Sequence, residues 1–176
     1  ATAIAGSNTL TLPAETGTLR STVSTGTVLQ VVNYQTGAVA TGTTQILPDD
    51  TIPQITEGNE YMTLAITPKS ATSNLIIAVV FFGAGSIAGQ QNISVALFQD
   101  ATANALASVY TQTANANAAV TIPLTHKMTS GTTSATTFRV RAGLGGAGTI
   151  TFNGYASGRV FGGVAASSIT ITEVVP

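Results

Sequence analysis

His126 is the single imidazole of this 176-residue chain, set between Pro123-Leu124-Thr125 and Lys127-Met128. Imidazole is the side chain best suited to moving protons near neutral pH. A Ser-His-acid arrangement is conceivable in a chain so rich in hydroxyls, but no Gly-x-Ser-x-Gly elbow marks a nucleophile. Cysteine is absent, which removes disulfides, thiolate metal sites and cysteine nucleophiles together. Four of the seven acids, Asp49, Asp50, Glu57 and Glu60, crowd into one stretch with Pro48 and Pro53. Hard cations take several carboxylate and carbonyl oxygens, so Asp49, Asp50 and Glu57 are the metal candidates, although their spacing matches no EF-hand loop. The competing reading is a solvated loop, or acids paired with Arg139 or Arg141 across an interface. A glycosidase needs two carboxylates flanking a sugar, and sequence neighbours such as Asp49 and Asp50 are no sign of that geometry. Gly83-Ala84-Gly85 and the glycines from Gly143 to Gly148 lack the strand-to-helix context of a phosphate loop and read as turns. Gln90, Gln91 and Asn92, with Asn115 and Asn117, read as polar loop tips whose amides can hydrogen-bond sugar hydroxyls. They are the candidate receptor contacts. These residues predict no catalytic site, no cofactor and no enzyme.

The composition narrows the field further. Hydrophobic residues make up 44% of the chain and charged residues 7%, against about a quarter in an average soluble domain. A disordered chain needs low hydrophobicity and high charge, and this one has neither. The net charge of −1 leaves no basic footprint for nucleic acid and no polybasic patch for an anionic membrane. The longest apolar run, Leu75 to Phe82, is far short of the ~20 residues of a spanning helix. Ala1-Thr2-Ala3-Ile4 does not open like a signal peptide. So little charge clothes a free monomer poorly, and burial of surface against identical copies resolves the difficulty.

The elements that must position these residues are strands. Thr27 to Tyr34 is β-branched and aromatic. Glu60 to Thr67 alternates, with Met62, Leu64 and Ile66 on one face and Tyr61, Thr63 and Ala65 on the other. Asn74 to Phe82 is apolar on both faces: Leu75, Ile77, Val79 and Phe81 on one, Ile76, Ala78, Val80 and Phe82 on the other. Asn92 to Phe98, Ala105 to Tyr110, Ser134 to Ala142, Gly148 to Phe152 and Ser167 to Val175 follow. Pro123 makes Ala119 to Leu124 an edge strand, and Asn153-Gly154 reads as a hairpin turn. No stretch has capped helical periodicity. The pattern predicts an all-β antiparallel sandwich or barrel. A sandwich core absorbs one face of Asn74–Phe82, so the other needs a cover, and an identical subunit is the simplest one. Ile76, Val80 and Phe82, with Ile169 and Ile171 of the final strand, are the interface candidates.

The run Leu10-Thr11-Leu12-Pro13-Ala14-Glu15-Thr16-Gly17-Thr18 resembles the Leu-Thr-Leu-Pro motifs that recur in bacteriophage fibre proteins. Val28-Leu29-Gln30-Val31-Val32, Asp49-Asp50-Thr51-Ile52-Pro53-Gln54 and Ile66-Thr67-Pro68-Lys69-Ser70-Ala71-Thr72-Ser73 resemble a C-terminal domain common in phage virion proteins. So do Ala96-Leu97-Phe98-Gln99-Asp100, Phe138-Arg139-Val140-Arg141-Ala142-Gly143 and the ending Phe161-Gly162-Gly163 with Ser168-Ile169-Thr170-Ile171-Thr172-Glu173. The resemblance implies a jelly-roll head like those of tumour-necrosis factors and the complement globular heads, trimeric about a three-fold axis and often carried on a fibrous stalk.

The expectation is therefore an extended arm or shaft segment over residues 1–26 and a jelly-roll head over 27–176. The function expected is a non-enzymatic phage virion protein on the particle surface. It would form a homotrimer, contact other virion proteins and touch a host cell-surface glycan, with no nucleic acid and no membrane insertion. A capsid decoration that reinforces the shell is the first rival, and a carbohydrate-active jelly-roll enzyme the second.

Overall fold

Strands form where the sequence alternates, and they dominate residues 24–176, which the computed structural model describes. The arm expected over residues 1–26 lies, as far as residue 23, outside the described residues. In chain order the strands are β1 (Val28–Thr36), β2 (Ala40–Gly42), β3 (Asn59–Ile66), β4 (Asn74–Gly85), β5 (Gln91–Gln99) and β6 (Ala107–Thr113), followed by β7 (Ala119–Thr129), β8 (Thr136–Leu144), β9 (Ile150–Phe152), β10 (Gly154–Tyr155), β11 (Gly158–Arg159) and β12 (Ser167–Val174). Among the described residues, helix is limited to a 3-10 turn at Phe161–Gly163. The expected all-β class is the one observed.

One sheet runs β1-β12-β4-β7, with β9 bridging the end of β4 to β2. The other runs β3-β8-β5-β6. All the pairings are antiparallel. Apart from the β5–β6 hairpin, the main strands from β3 to β8 alternate between sheets, and β12 returns beside β1. That wrapping is a jelly roll. Leu75, Ile77, Val79 and Phe81 of β4 are buried against Ile93, Val95 and Leu97 of β5 and Phe138 and Val140 of β8. Pro123 lies opposite Val80 on β7, an edge strand paired on one side only, where its missing N–H costs no ladder bond.

Ile169 and Ile171 are corrected by this packing. Both are fully buried in the sandwich core, in register with Val79 and Ile77, and neither can meet a partner. The outward side of β12 carries Ser168, Thr170 and Thr172 instead. Asn153-Gly154 is not the hairpin turn either. The Asn153 carboxamide donates to the carbonyls of Thr36 and Ala38 and accepts from the Ser167 hydroxyl. The turn falls at Ala156-Ser157, both at positive φ, between β10 and β11.

Tyr61 also leaves its expected face. A register shift between Glu60 and Met62 turns its ring inward, where it stacks on Phe152 at 4.9 Å and meets Phe81 edge-on at 6.0 Å. Burial pushes the phenol pKa up, and its hydroxyl has no hydrogen-bond partner among the described residues. An unsatisfied buried hydroxyl costs about 1–3 kcal/mol. Tyr61→Phe is expected to leave stability unchanged or to raise it by about 1 kcal/mol in urea unfolding. A loss of that size would contradict an orphaned hydroxyl.

The segment 43–58 straps the outer face of the second sheet. The Ile46 amide donates to the Leu144 carbonyl at 3.1 Å, and the Ser94 hydroxyl donates to the Ile46 carbonyl at 3.2 Å. Ile46 packs on Ala96 and Phe98, with Ile55 and Ala105 around them. β5 is thus buried on both sides by its own chain. Gly143 makes the crossing possible: a Cβ there would sit 2.6 Å from the Thr44 carbonyl oxygen and 2.7 Å from the Ile46 amide nitrogen.

Candidate functional site

The outer face of the first sheet has no such strap among the described residues. Register places its outward side chains in rows across four strands. One row is Val31, Thr172, Ile76 and Lys127. The next is Asn33, Thr170, Ala78 and Thr125, and the third is Gln35, Ser168, Val80 and Pro123. Phe82 and Thr121 extend the face beyond the last row. Val31 is 55% exposed and Val80 40%. Lys127, on the edge strand, is the single charge in these rows. Hydroxyl, amide and aliphatic groups can be buried at far lower desolvation cost than ions. The interface candidates Ile76, Val80 and Phe82 therefore stand together on one side of β4, apart from Ile169 and Ile171.

The acidic cluster is dispersed by its hydrogen bonds. Asp49 accepts from the hydroxyl and amide of Thr51, which hold its carboxyl below the ordinary value. Glu57 accepts from the Gln54 amide at 2.6 Å. Glu60 pairs with Arg139 at 3.0 Å and Arg141 at 3.5 Å within the chain. Arg141 also donates to the carbonyls of Glu57 and Gly58, clamping the end of the strap. The pairing expected across an interface is thus intramolecular. Among the described residues, no three His, Asp or Glu side chains converge as a metal site would require. His126 lies partly buried on the inward side of β7, in register with Ile77.

Glu173 is the acid that sequence reasoning missed. It is fully buried at the end of β12, on the same side as Ile169 and Ile171. Its carboxylate accepts from the Ser73 hydroxyl at 2.5 Å, the Lys69 amide at 2.8 Å, the Ser70 amide at 3.2 Å and the Gln30 amide group at 2.6 Å. Burial works to raise its pKa, but these four donors outweigh it and hold the carboxyl below its ordinary value. The site is structural: it closes the β3–β4 turn onto β12 and β1. Its one sequence signal is an acid at an inward position of an alternating strand.

The amide candidates divide. Gln91 is buried, donating to the carbonyls of Gly85 and Asn115 and accepting from the Ile87 amide. It ties loops together and is not available to a receptor, which corrects that assignment. The Asn115 carbonyl serves the same clamp, and Asn117, at φ 59°, anchors the turn to Gly85 through its amide. Gln90 and Asn92 stand on the surface beside Gln112 of β6 and hydrogen-bond with it.

No family model matches the sequence, and no curated protein matches it either. Solved structures do match. Infectious bursal disease virus, Gx strain, matches at 16% identity and TM-score 0.33 over 94% of this chain and 42% of that one. The VP2 subviral particle of infectious bursal disease virus matches at 13% identity and TM-score 0.31, over 85% and 39%. The enzymatically active domain of bacteriophage CBA120 tailspike protein 4 matches at 17% identity and TM-score 0.27, over 71% and 19%. The chain thus spans less than half the length of each of these matched chains.

Proposed function

We propose that this chain is a non-enzymatic structural module of a phage virion: a homotrimeric jelly-roll head that projects from the particle surface and touches the host. One observation carries the proposal. The outer face of β1-β12-β4-β7 is broad, nearly free of charge and uncovered by the described chain, whereas the opposite sheet is covered by its own strap. Each ~100 Å² of apolar surface that a copy removes from water there contributes about 2.5 kcal/mol. Closed symmetry satisfies such a face without fibre growth. The number three, and the phage virion, follow from the sequence resemblance to phage fibre proteins and trimeric jelly-roll heads. The poverty of titratable groups and the engagement of Asp49, Glu57 and Glu60 in local bonds favour a mechanical role over catalysis.

Negative-stain imaging of intact particles with a labelled antibody tests the assignment. Label on projections from the particle is the expected result. Label spread over the shell alone assigns the chain to capsid reinforcement, and unlabelled particles overturn the virion reading.

A further inference from the structure

The geometry points to a binding groove for a neutral saccharide chain on the outer face of the second sheet, between β6 and the strap. The inference deepens the host-contact part of the proposed function and rests on it.

The strap covers the outer side chains of β5 but stops short of β6. Two adjoining hollows of about 220 and 330 Å³ remain, sharing Thr51, Pro53 and Ser108 in their walls. The larger alone reaches the lower end of the ~300–1,000 Å³ of ordinary ligand sites. Tyr110, 57% exposed, stands in the first of them, with Leu47 from the strap also in its lining. A phenol ring offers a flat apolar face with a polar tip, suited to the apolar face of a pyranose and its hydroxyls. Asp49 shares that hollow. Its Oδ1 is committed to Thr51, which fixes the carboxylate and leaves Oδ2 as an acceptor.

The same face continues as a row of amides. Ser108, Tyr110 and Gln112 alternate outward along β6, opposite Ala96, Ser94 and Asn92. The Gln90 amide donates to Gln112 Oε1 at 2.9 Å, and Gln112 donates to Asn92 Oδ1 at 3.2 Å. That chain orients the three side chains and leaves Asn92 Nδ2 to donate and Gln90 Oε1 to accept. Aromatic platform, fixed carboxylate and oriented amides are the groups that a row of sugar hydroxyls pairs with. Among the described residues, no Lys, Arg or His lines either hollow, which disfavours phosphorylated, sulfated and acidic sugars. The two sheets turn their outer faces to opposite sides of the sandwich, so packing of copies on the first leaves this groove open.

The test uses immobilised neutral oligosaccharides of glucose, galactose, mannose and N-acetylglucosamine, with sialylated and sulfated counterparts, probed by the wild type and Tyr110→Ala. Circular dichroism confirms that the variant folds, and sedimentation of the same samples reports assembly separately. The wild type should retain at least one neutral class, with little dependence on salt, and Tyr110→Ala should weaken retention tenfold or more. Retention of no neutral sugar, equal retention by Tyr110→Ala, or retention of anionic sugars alone, falling with salt, would overturn the groove. A trimer without sugar binding refutes this inference and leaves the assembly standing. Sugar binding by a monomer does the reverse.

Discussion

Glu173→Ala is expected to destabilise the domain by about 3 kcal/mol or more in urea unfolding. The substitution leaves the Ser73 hydroxyl, the Lys69 and Ser70 amides and the Gln30 side chain without the acceptor they share. The Gln30 amide group keeps the Thr67 carbonyl and the Ser73 hydroxyl keeps the Ser70 carbonyl, so the loss falls on the Lys69 and Ser70 amides. Each buried donor left unpaired costs about 1–3 kcal/mol, and water entering the vacated site recovers part of that. The pH dependence has a definite sign. The folded-state pKa is depressed, so the carboxylate's stabilisation is fully present above the unfolded value of ~4.3 and is lost as pH falls through the folded value. Glu173→Gln keeps the shape but presents an N–H₂ to donors. Its deficit against the wild type should be largest near neutrality and shrink as the wild-type carboxyl protonates. A deficit independent of pH down to strongly acid conditions would contradict an ionised, donor-held Glu173.

Val80→Asp should dissociate the assembly while leaving the subunit folded, and Val79→Asp should prevent folding. The two positions are neighbours on β4 and face opposite ways. Val79 is 1% exposed in the core, and Val80 is 40% exposed on the outer face. A carboxylate forced into the core has no partner and is strongly destabilising. On the outer face it is solvated in the free subunit, and its cost appears only when a copy covers it. An uncompensated buried charge costs about 3–5 kcal/mol, and each 1.4 kcal/mol is tenfold in affinity, so association should weaken by more than about a hundredfold. Circular dichroism with size-exclusion chromatography separates the two outcomes. A Val80→Asp protein that keeps the wild-type assembly would place the interface elsewhere.

Period-2 alternation carried most of the strand assignments, because residue spacing alone states which side chains share a face. It does not state which face is inside. Ile76 and Ile171 are both apolar strand residues, yet one faces outward and the other is core. The choice depends on pairing between β12 and β4, whose residues lie far apart in sequence. β5 was as two-sided as β4, with Ala96 and Phe98 opposite Ile93, Val95 and Leu97, but its cover is a strap from the same chain, held by Gly143 and Ile46. The inward turn of Tyr61 required a bulge that no residue type announces. Gln91 looked like a loop tip because its neighbours are polar, and its burial follows from carbonyls brought to it by two separate loops. Glu173 could be seen as misplaced in its strand, but its four donors come from segments across the fold.

Sedimentation equilibrium of the wild-type chain at micromolar concentration tests whether copies of the chain cover the outer face of β1-β12-β4-β7, whose rows hold the single charge of Lys127. The expected result is a mass of three chains, each of 17.7 kDa, that does not dissociate on dilution through that range. A folded, soluble species of one chain mass would contradict it.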